Sequence, residues 1–415
     1  MPSWELQSKR RREAAEKFDR LVKRIRRETR VRNFLLPPAP EELMAAAALG
    51  PVVVVNLSVY RCDAFLVERD RIRILELPKL TLRQVQERAW DLRLSRPEAM
   101  PSTLEFLWDA VCGPCLESLG FLNPITDDEW PRVWWIPTGL LSQLPLHAAG
   151  YHTRGSTKVV LDRIMSSYAL SIKTLIYGRR SRTRQPCDKQ LNKALLLSMP
   201  KTPGMDHNGV LPYAEEEIKM LESLCPALDL QPIKTKRYKN DILQGLQACK
   251  IFHFAGHGRS DPTEPSQSCL LLDDWQKSPL TVADLREHQL QDNAPFLGYL
   301  SAYWTGANEV ENLTDEVINL VSAFQLAGFR HVVGTLWEVS DRYCVDVARV
   351  LYETLRDKGM TDRAVCLGLH YALRSLRGVW IDVQADTRNG TLLEFGNPEN
   401  SNLPIYWVPY IHYGI

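Results

Sequence analysis

Three short apolar runs between Lys250 and Asp341 constrain the fold of this chain more than any other feature of it. The first is Ile251-Phe252-His253-Phe254-Ala255-Gly256-His257-Gly258, the second Phe296 to Gly306, and the third Phe329 to Trp337. Each is rich in β-branched and aromatic residues and ends in turn formers, the pattern of a buried strand running into a loop. Between the second and third, Val317, Leu320, Val321, Phe324 and Leu326 fall at helical spacing, so the segment Leu313 to Ala327 reads as a helix. Strand, helix, strand on this scale is a parallel crossover. Polar residues at the carboxyl ends of such strands, here His257 and the segment after Ser301, are where α/β proteins place their chemistry.

These runs carry a family resemblance. His253-Phe254-Ala255-Gly256-His257-Gly258, then Leu300-Ser301-Ala302 with Thr305-Gly306, then Ala327-Gly328-Phe329 leading to Gly334-Thr335-Leu336-Trp337, resemble the CHAT domain. So do Pro137-Thr138-Gly139 with Leu144-Pro145, and the terminal Trp407-Val408-Pro409. CHAT domains are caspase-like members of the cysteine-peptidase group that holds separase and gingipain. The resemblance implies an α/β caspase-like Rossmannoid fold, with a mostly parallel central sheet flanked by helices. It also implies a smaller N-terminal α/β region carrying a β-hairpin and a leading helix. It makes His257 the catalytic base, gives the backbone of Gly258 to an oxyanion hole, and places the nucleophilic cysteine at position 303. That residue is Tyr303.

The substitution matters chemically. A cysteine attacks as a thiolate stabilised by a neighbouring imidazolium. A phenol, ordinarily with a pKa of about 10, is bulky and weakly nucleophilic by comparison. Strand alternation sets Ser301 on the same face as Tyr303, one step deeper, and puts Thr305 beyond it in the loop. Cys269 reads as a core strand residue, Cys344 as a small apolar residue of the next helix, and His253 as an inward strand histidine held by a backbone partner. The expectation is a degenerate dyad, His257 kept and the nucleophile replaced by Tyr303. Such a chain is a catalytically inactive interaction or signalling module rather than an enzyme. The alternative is an active caspase-like endopeptidase using a substitute nucleophile. The expected partner is a protein or peptide, bound in the cleft or through the N-terminal helix.

Other classes find little support. The 415 residues carry a formal net charge of +1, which gives no general attraction to polyanions, so neither nucleic acid nor membrane is expected as a partner. No apolar run approaches the roughly 18 residues of a spanning helix, and the start of the chain lacks a secretory apolar core. Nine scattered cysteines suit a reducing cytoplasm better than a disulfide framework, with the nucleus as the other compartment the basic N-terminal segment allows. No glycine cluster has phosphate-loop spacing, and no acidic or cysteine cluster has metal spacing, so no cofactor or metal is expected.

The chain divides at its breakers. Residues 1–49 read as a basic amphipathic helix over 4–35 and the linker Pro37-Pro38-Ala39-Pro40, followed by a short helix from Glu41 to Leu49. By the resemblance this is the end of a helical-repeat array, although no repeat of about 34 residues is visible. Residues 50–415 form the CHAT domain, with sub-regions 50–185 and 193–415 separated by the basic run from Gly178 to Pro186. In the first sub-region, Val52 to Leu57 reads as a buried strand, Asp63 to Leu77 as a hairpin, and Ser166 to Tyr177 as a helix. Cys112-Gly113-Pro114-Cys115 matches a redox tetrapeptide, but upstream helical spacing makes it a helix interrupted by Gly-Pro with buried core cysteines. In the second, strands are expected at Ala194 to Met199 and Leu228 to Ile233, helices at Tyr213 to Leu224 and Asn240 to Ala248, and an edge strand at Leu403 to Ile411.

Overall fold

Unbroken β-branched runs such as Val52-Val53-Val54-Val55 have no polar face to offer water, and they form the inner strands of one large sheet. The computed structural model describes residues 3–28, 34–94, 96–180, 192–205, 209–259, 261, 264–288, 295–304, 320–337, 339, 341–388 and 405–415. The basic run from 181 onward, Thr305, the first part of the 313–327 helix and Ser340 lie outside these residues.

In chain order, α1 (Ser3–Ile25) and α2 (Pro40–Ala45) lead to β1 (Val52–Asn56), β2 (Asp63–Val67) and β3 (Ile72–Glu76). Next come α3 (Leu82–Arg93), α4 (Met100–Leu107), α5 (Gly113–Ser118), β4 (Arg132–Pro137), β5 (Met165–Tyr168) and α6 (Ile172–Arg180). The second sub-region runs β6 (Lys193–Ser198), α7 (Ala214–Leu224), β7 (Gln231–Ile233), α8 (Lys239–Leu246) and β8 (Ile251–Arg259). It continues with β9 (Cys269–Leu270), β10 (Leu280–Thr281), α9 (Val282–Glu287), β11 (Leu297–Trp304), α10 (Leu320–Leu326) and β12 (His331–Thr335). It closes with α11 (Asp341–Lys358), α12 (Asp362–Arg388) and β13 (Tyr410–Gly414).

Among the described residues the sheet has 13 strands, ordered β10-β9-β8-β11-β12-β13-β5-β4-β1-β2-β3, with β6 and β7 beside the first half of β8. Strands β7, β6, β8, β11 and β12 are parallel, and so are β13, β5, β4 and β1. The two groups meet where β13 pairs antiparallel with β12 and parallel with β5. One face of the second half packs on α8, α9 and α10, with Phe252, Phe254, Phe324 and Phe329 in contact. The other packs on α7, α11 and α12. Full burial of each such phenylalanine contributes on the order of 2 kcal/mol.

Two expectations are corrected. The segment Ser166 to Tyr177 is not one helix: β5 occupies Met165–Tyr168 and α6 starts at Ile172. Its serines serve as polar partners, the buried Ser167 Oγ accepting from Arg132 Nε at 2.9 Å and the partly buried Ser166 Oγ accepting from Trp135 Nε1 at 3.1 Å. The C-terminal strand is not an edge. β13 lies inside the sheet, because Pro409 precedes the strand and costs it no ladder hydrogen bond. Smaller differences concern length. α1 ends at Ile25, and β7 is three residues because Cys225–Leu228 forms a 3-10 turn and Asp229 a left-handed one (φ 54°).

A buried polar chain crosses β4, β5, β13 and β12. From Arg132 it passes to Ser167, then to His412 Nδ1 at 2.9 Å, from His412 Nε2 to His331 Nδ1 at 3.1 Å, and from His331 Nε2 to Asp362 at 2.9 Å. Arg330 closes it with two bonds to the same carboxylate. The chain is consistent with one proton per bond: His331 donates to Asp362, His412 donates to His331, and Ser167 donates to His412. A second proton on His331 would set its Nδ1–H against the His412 Nε2–H, and one on His412 would reverse its bond with the Ser167 hydroxyl. Burial lowers His331 to about 4, and drives His412 well below the ordinary histidine value, with Arg132 and His331 acting in the same direction. Burial likewise lowers His147 to about 4.

Both states hold a neutral imidazole above about pH 6.5, so this contribution to stability is complete there and is lost as pH falls from about 6.5 to 4. For His331 and His147 the cost is then up to roughly 3 kcal/mol each. The thermal midpoint, followed by circular dichroism, is expected to be flat above pH 7 and to drop steeply between 6 and 4, with His147→Gln reducing the slope. A flat midpoint down to pH 4 would contradict the neutral buried histidines.

Candidate active site

The site is built by strand register. β8 and β11 run parallel with Leu297 opposite Ile251, and the pairing continues to Tyr303 opposite His257 and Trp304 opposite Gly258. Positions 257 and 303 are therefore immediate neighbours at the carboxyl ends of adjacent central strands. Alternation along β8 sends Phe252 and Phe254 toward α8 and α10, and His253 and His257 to the face of α7 and α11. Gly256 stands where side-chain space is already taken: a Cβ there would lie 2.6 Å from Phe254 and 2.9 Å from Met199. Gly258 is held within β8, with Leu270 of β9 on one side and Trp304 on the other.

His257 is 1% exposed, and its Nδ1 lies 2.8 Å from Oγ1 of Thr202. Thr202 follows β6, the other parallel neighbour of β8, and is itself buried. A hydroxyl at this distance fixes the ring's orientation. Sequence reading missed Thr202, because a threonine in a Gly/Pro-rich loop carries no signal of the histidine it will meet.

A second polar cluster lies under the first. Glu217 of α7 is 2% exposed, with Oε1 2.9 Å from His253 Nε2 and Oε2 accepting from Ser301 Oγ at 3.1 Å. His253 Nδ1 lies 3.1 Å from the Tyr352 hydroxyl, and its ring stacks on Tyr299 at 4.5 Å between centroids. The backbone partner expected for His253 is thus replaced by two side chains. A strand histidine facing a helix has no backbone polar group in reach, since the helix has already paired its own. Glu217 was legible in principle: Ala214, Glu217, Ile218 and Leu221 fall at i, i+3, i+4 and i+7, which puts the glutamate on the buried face of α7.

Ser301 is therefore 5% exposed and committed to a carboxylate, not aimed at His257. Cys269 pairs within β9 and Cys344 receives the Tyr410 hydroxyl at 3.3 Å, both in the core as expected. Cys112 and Cys115 are fully buried in a helix whose middle, Trp108–Cys112, widens to a π turn. There Gly113 N–H reaches back to Trp108 O, next to a proline that cannot donate. Burial pushes the Cys115 thiol up to about 12 and also raises Cys112 well above its ordinary value, the reverse of a redox thiolate. His147 is a packed loop histidine, its Nδ1 2.9 Å from the Tyr168 hydroxyl and its Nε2 2.9 Å from Val408 O. Among the described residues no group of histidine, cysteine and acidic side chains is arranged to hold a metal ion, and no helix is long and apolar enough to cross a membrane.

The model of the CHAT domain family matches residues 101–415. The chain belongs to the CHAT family. Separase from Saccharomyces cerevisiae, solved in complex with securin, is similar in fold, with a TM-score of 0.55 over 91% of this chain and 11% identity. A second structure of that complex gives a TM-score of 0.53 at 11% identity, covering 91% of this chain and 31% of the other. The Arg-specific cysteine proteinase gingipain R aligns over 68% of this chain at a TM-score of 0.42 and 10% identity. The chain spans 62% of the gingipain structure and 30% of the first separase structure. No curated protein matches it in sequence. The mixed α/β architecture, with its large mostly parallel sheet between helical layers, is thus the one expected of a caspase-like peptidase relative.

Removing one member of a buried, hydrogen-bonded set strands the others. Glu217→Ala is expected to lower stability by about 3 kcal/mol, since it leaves His253 and Ser301 without their shared acceptor. A urea titration followed by tryptophan fluorescence measures it, and a change under about 0.5 kcal/mol would show that Glu217 is not the anchor described.

Proposed function

We propose that this CHAT protein is an inactive relative of the cysteine peptidases, which binds a protein or peptide partner at the carboxyl end of β8 and β11. The observation that carries the reading is the register of those strands: His257 is paired with position 303, and position 303 holds tyrosine. By family resemblance His257 is the general base, Gly258 the oxyanion-hole contributor and position 303 the nucleophile. A base whose strand partner is tyrosine has no thiol to activate at that position. Among the described residues Ser301 is spent on Glu217, the described cysteines are buried, and the hydroxyl at His257 is that of Thr202, an alcohol far less acidic than a thiol. What remains is a sheet end that can recognise an extended chain without cutting it. Such a module acts by presenting or sequestering a partner in the cytoplasm or nucleus. α1, exposed along most of its length and strongly basic, is the other surface available for contact.

An electrophilic probe for cysteine peptidases, carrying a fluorescent tag, separates this reading from active catalysis. The protein as it stands is expected to remain unlabelled, while Tyr303→Cys becomes labelled, and His257→Ala in that background cuts the labelling rate by about 100-fold. Labelling of the unaltered chain, or cleavage of a peptide by it, would overturn the reading.

A further inference from the structure

β8 continues two residues past His257 to Arg259, and alternation returns Arg259 to the face of His257, roughly 7 Å further along the strand. Its guanidinium carbon lies 5.3 Å from the centroid of the Trp275 ring. Trp275 is fixed in turn, its indole Nε1 donating to Pro203 O at 2.8 Å. Pro203 follows Thr202, the residue at His257 Nδ1. The loop of Thr202 and Pro203 thus joins the buried His257 to Trp275, on which the exposed Arg259 is placed.

Arg259 is exposed, its guanidinium reaches the side chain of Cys269 on the paired strand β9, and among the described residues no carboxylate forms an ion pair with it. Nearby acids have other duties. An Asp261 oxygen accepts from the amide of Glu264 at 2.9 Å, and Asp284 pairs with Lys239 at 2.7 Å. A guanidinium held near an aromatic ring keeps in-plane N–H donors for a planar acceptor, and a carboxylate fits that fork in two bonds. Positioning on Trp275 lowers the side-chain entropy lost when such an acceptor binds.

We propose that Arg259, held on Trp275, recognises an aspartate or glutamate side chain of a peptide bound beside His257. This rests on the reading of that sheet end as a peptide-binding cleft, and adds the chemistry the cleft selects.

The test uses the full chain and fluorescein-labelled hexapeptide mixtures, each fixed at one position as Glu, Gln or Lys and randomised elsewhere, with binding followed by anisotropy. For one fixed position the Glu mixture is expected to bind about tenfold more tightly than the Gln mixture, and the Lys mixture more weakly still. Arg259→Gln is expected to reduce that ratio to below about twofold, and Arg259→Lys to keep part of it. Because Arg259 is exposed, circular dichroism should show both variants folded, and Trp275→Leu provides a second route by removing the platform. If every mixture binds alike, or the Lys mixture binds best, or Arg259→Gln keeps the acidic preference, this proposal fails and the peptide-cleft reading stands. If no mixture binds, the cleft reading fails and the proposal with it.

Discussion

Everything at the candidate site depends on the parallel main-chain pairing of β8 with β11. Eight consecutive residue pairs, from Ile251 with Leu297 to Gly258 with Trp304, leave no freedom in which residue faces His257. A slip by one residue would turn every side chain of β11 to the opposite face, and drive Tyr299 and Ser301 out of the α7 side of the core. Buried polar partners lock the register. Ser301 and His253 come from different strands, and both reach Glu217 of α7. That triangle closes at only one alignment of the two strands. Glu217 is thereby a fold determinant beneath the site, which explains why a carboxyl group is kept in an apolar layer at the cost of desolvating it.

The same geometry gives the tyrosine at position 303 its meaning. In the family's pattern this position and His257 cooperate as nucleophile and base, and the strand register here still sets them side by side. On the reading proposed here chemistry is lost without loss of architecture, which is physically reasonable because position 303 sits at a strand end. The stability of the sheet comes from elsewhere, from the phenylalanine cluster around Phe252 and from the polar triangle. On the reading proposed here, the surroundings of His257 were free to serve recognition once they ceased to serve bond cleavage. The orienting hydroxyl of Thr202 then preserves the shape of the rim rather than the basicity of a catalyst.

The sequence revealed the strands with the strongest apolar character, because burial on both faces leaves no polar residue to confuse the pattern. β1, β6, β8, β11 and β12 belong to this group. It misled where polar residues are buried in pairs. Ser166-Ser167-Tyr168 looks helical until Arg132 and His412, distant in sequence, supply partners for Ser167. The prolines near the C-terminus suggested an edge, since proline cannot donate to a ladder, yet Pro409 sits just outside the paired residues. That positions 257 and 303 lie on neighbouring strands was legible through motif spacing. Glu217 showed its burial in the helical spacing of α7, but not its partners. Thr202 and Trp275 were not legible, because each acquires its role from a contact that only the tertiary fold creates.

That last point extends to the sheet as a whole. β13 is the bridge between the strands of the two sub-regions: it pairs with β12 of one and β5 of the other. Without residues 410–414, β12 would present an open edge, and the chain of hydrogen bonds from Arg132 to Asp362 would lose its middle member, His412. Joining partners more than 200 residues apart in sequence makes this a late and entropically expensive step in folding. The arrangement of β8, β11 and β12 around the site is therefore completed from the far end of the chain. Integrity of the candidate cleft and integrity of the C-terminal strand are one property, transmitted through β12 by backbone pairing rather than by any side chain of the site itself.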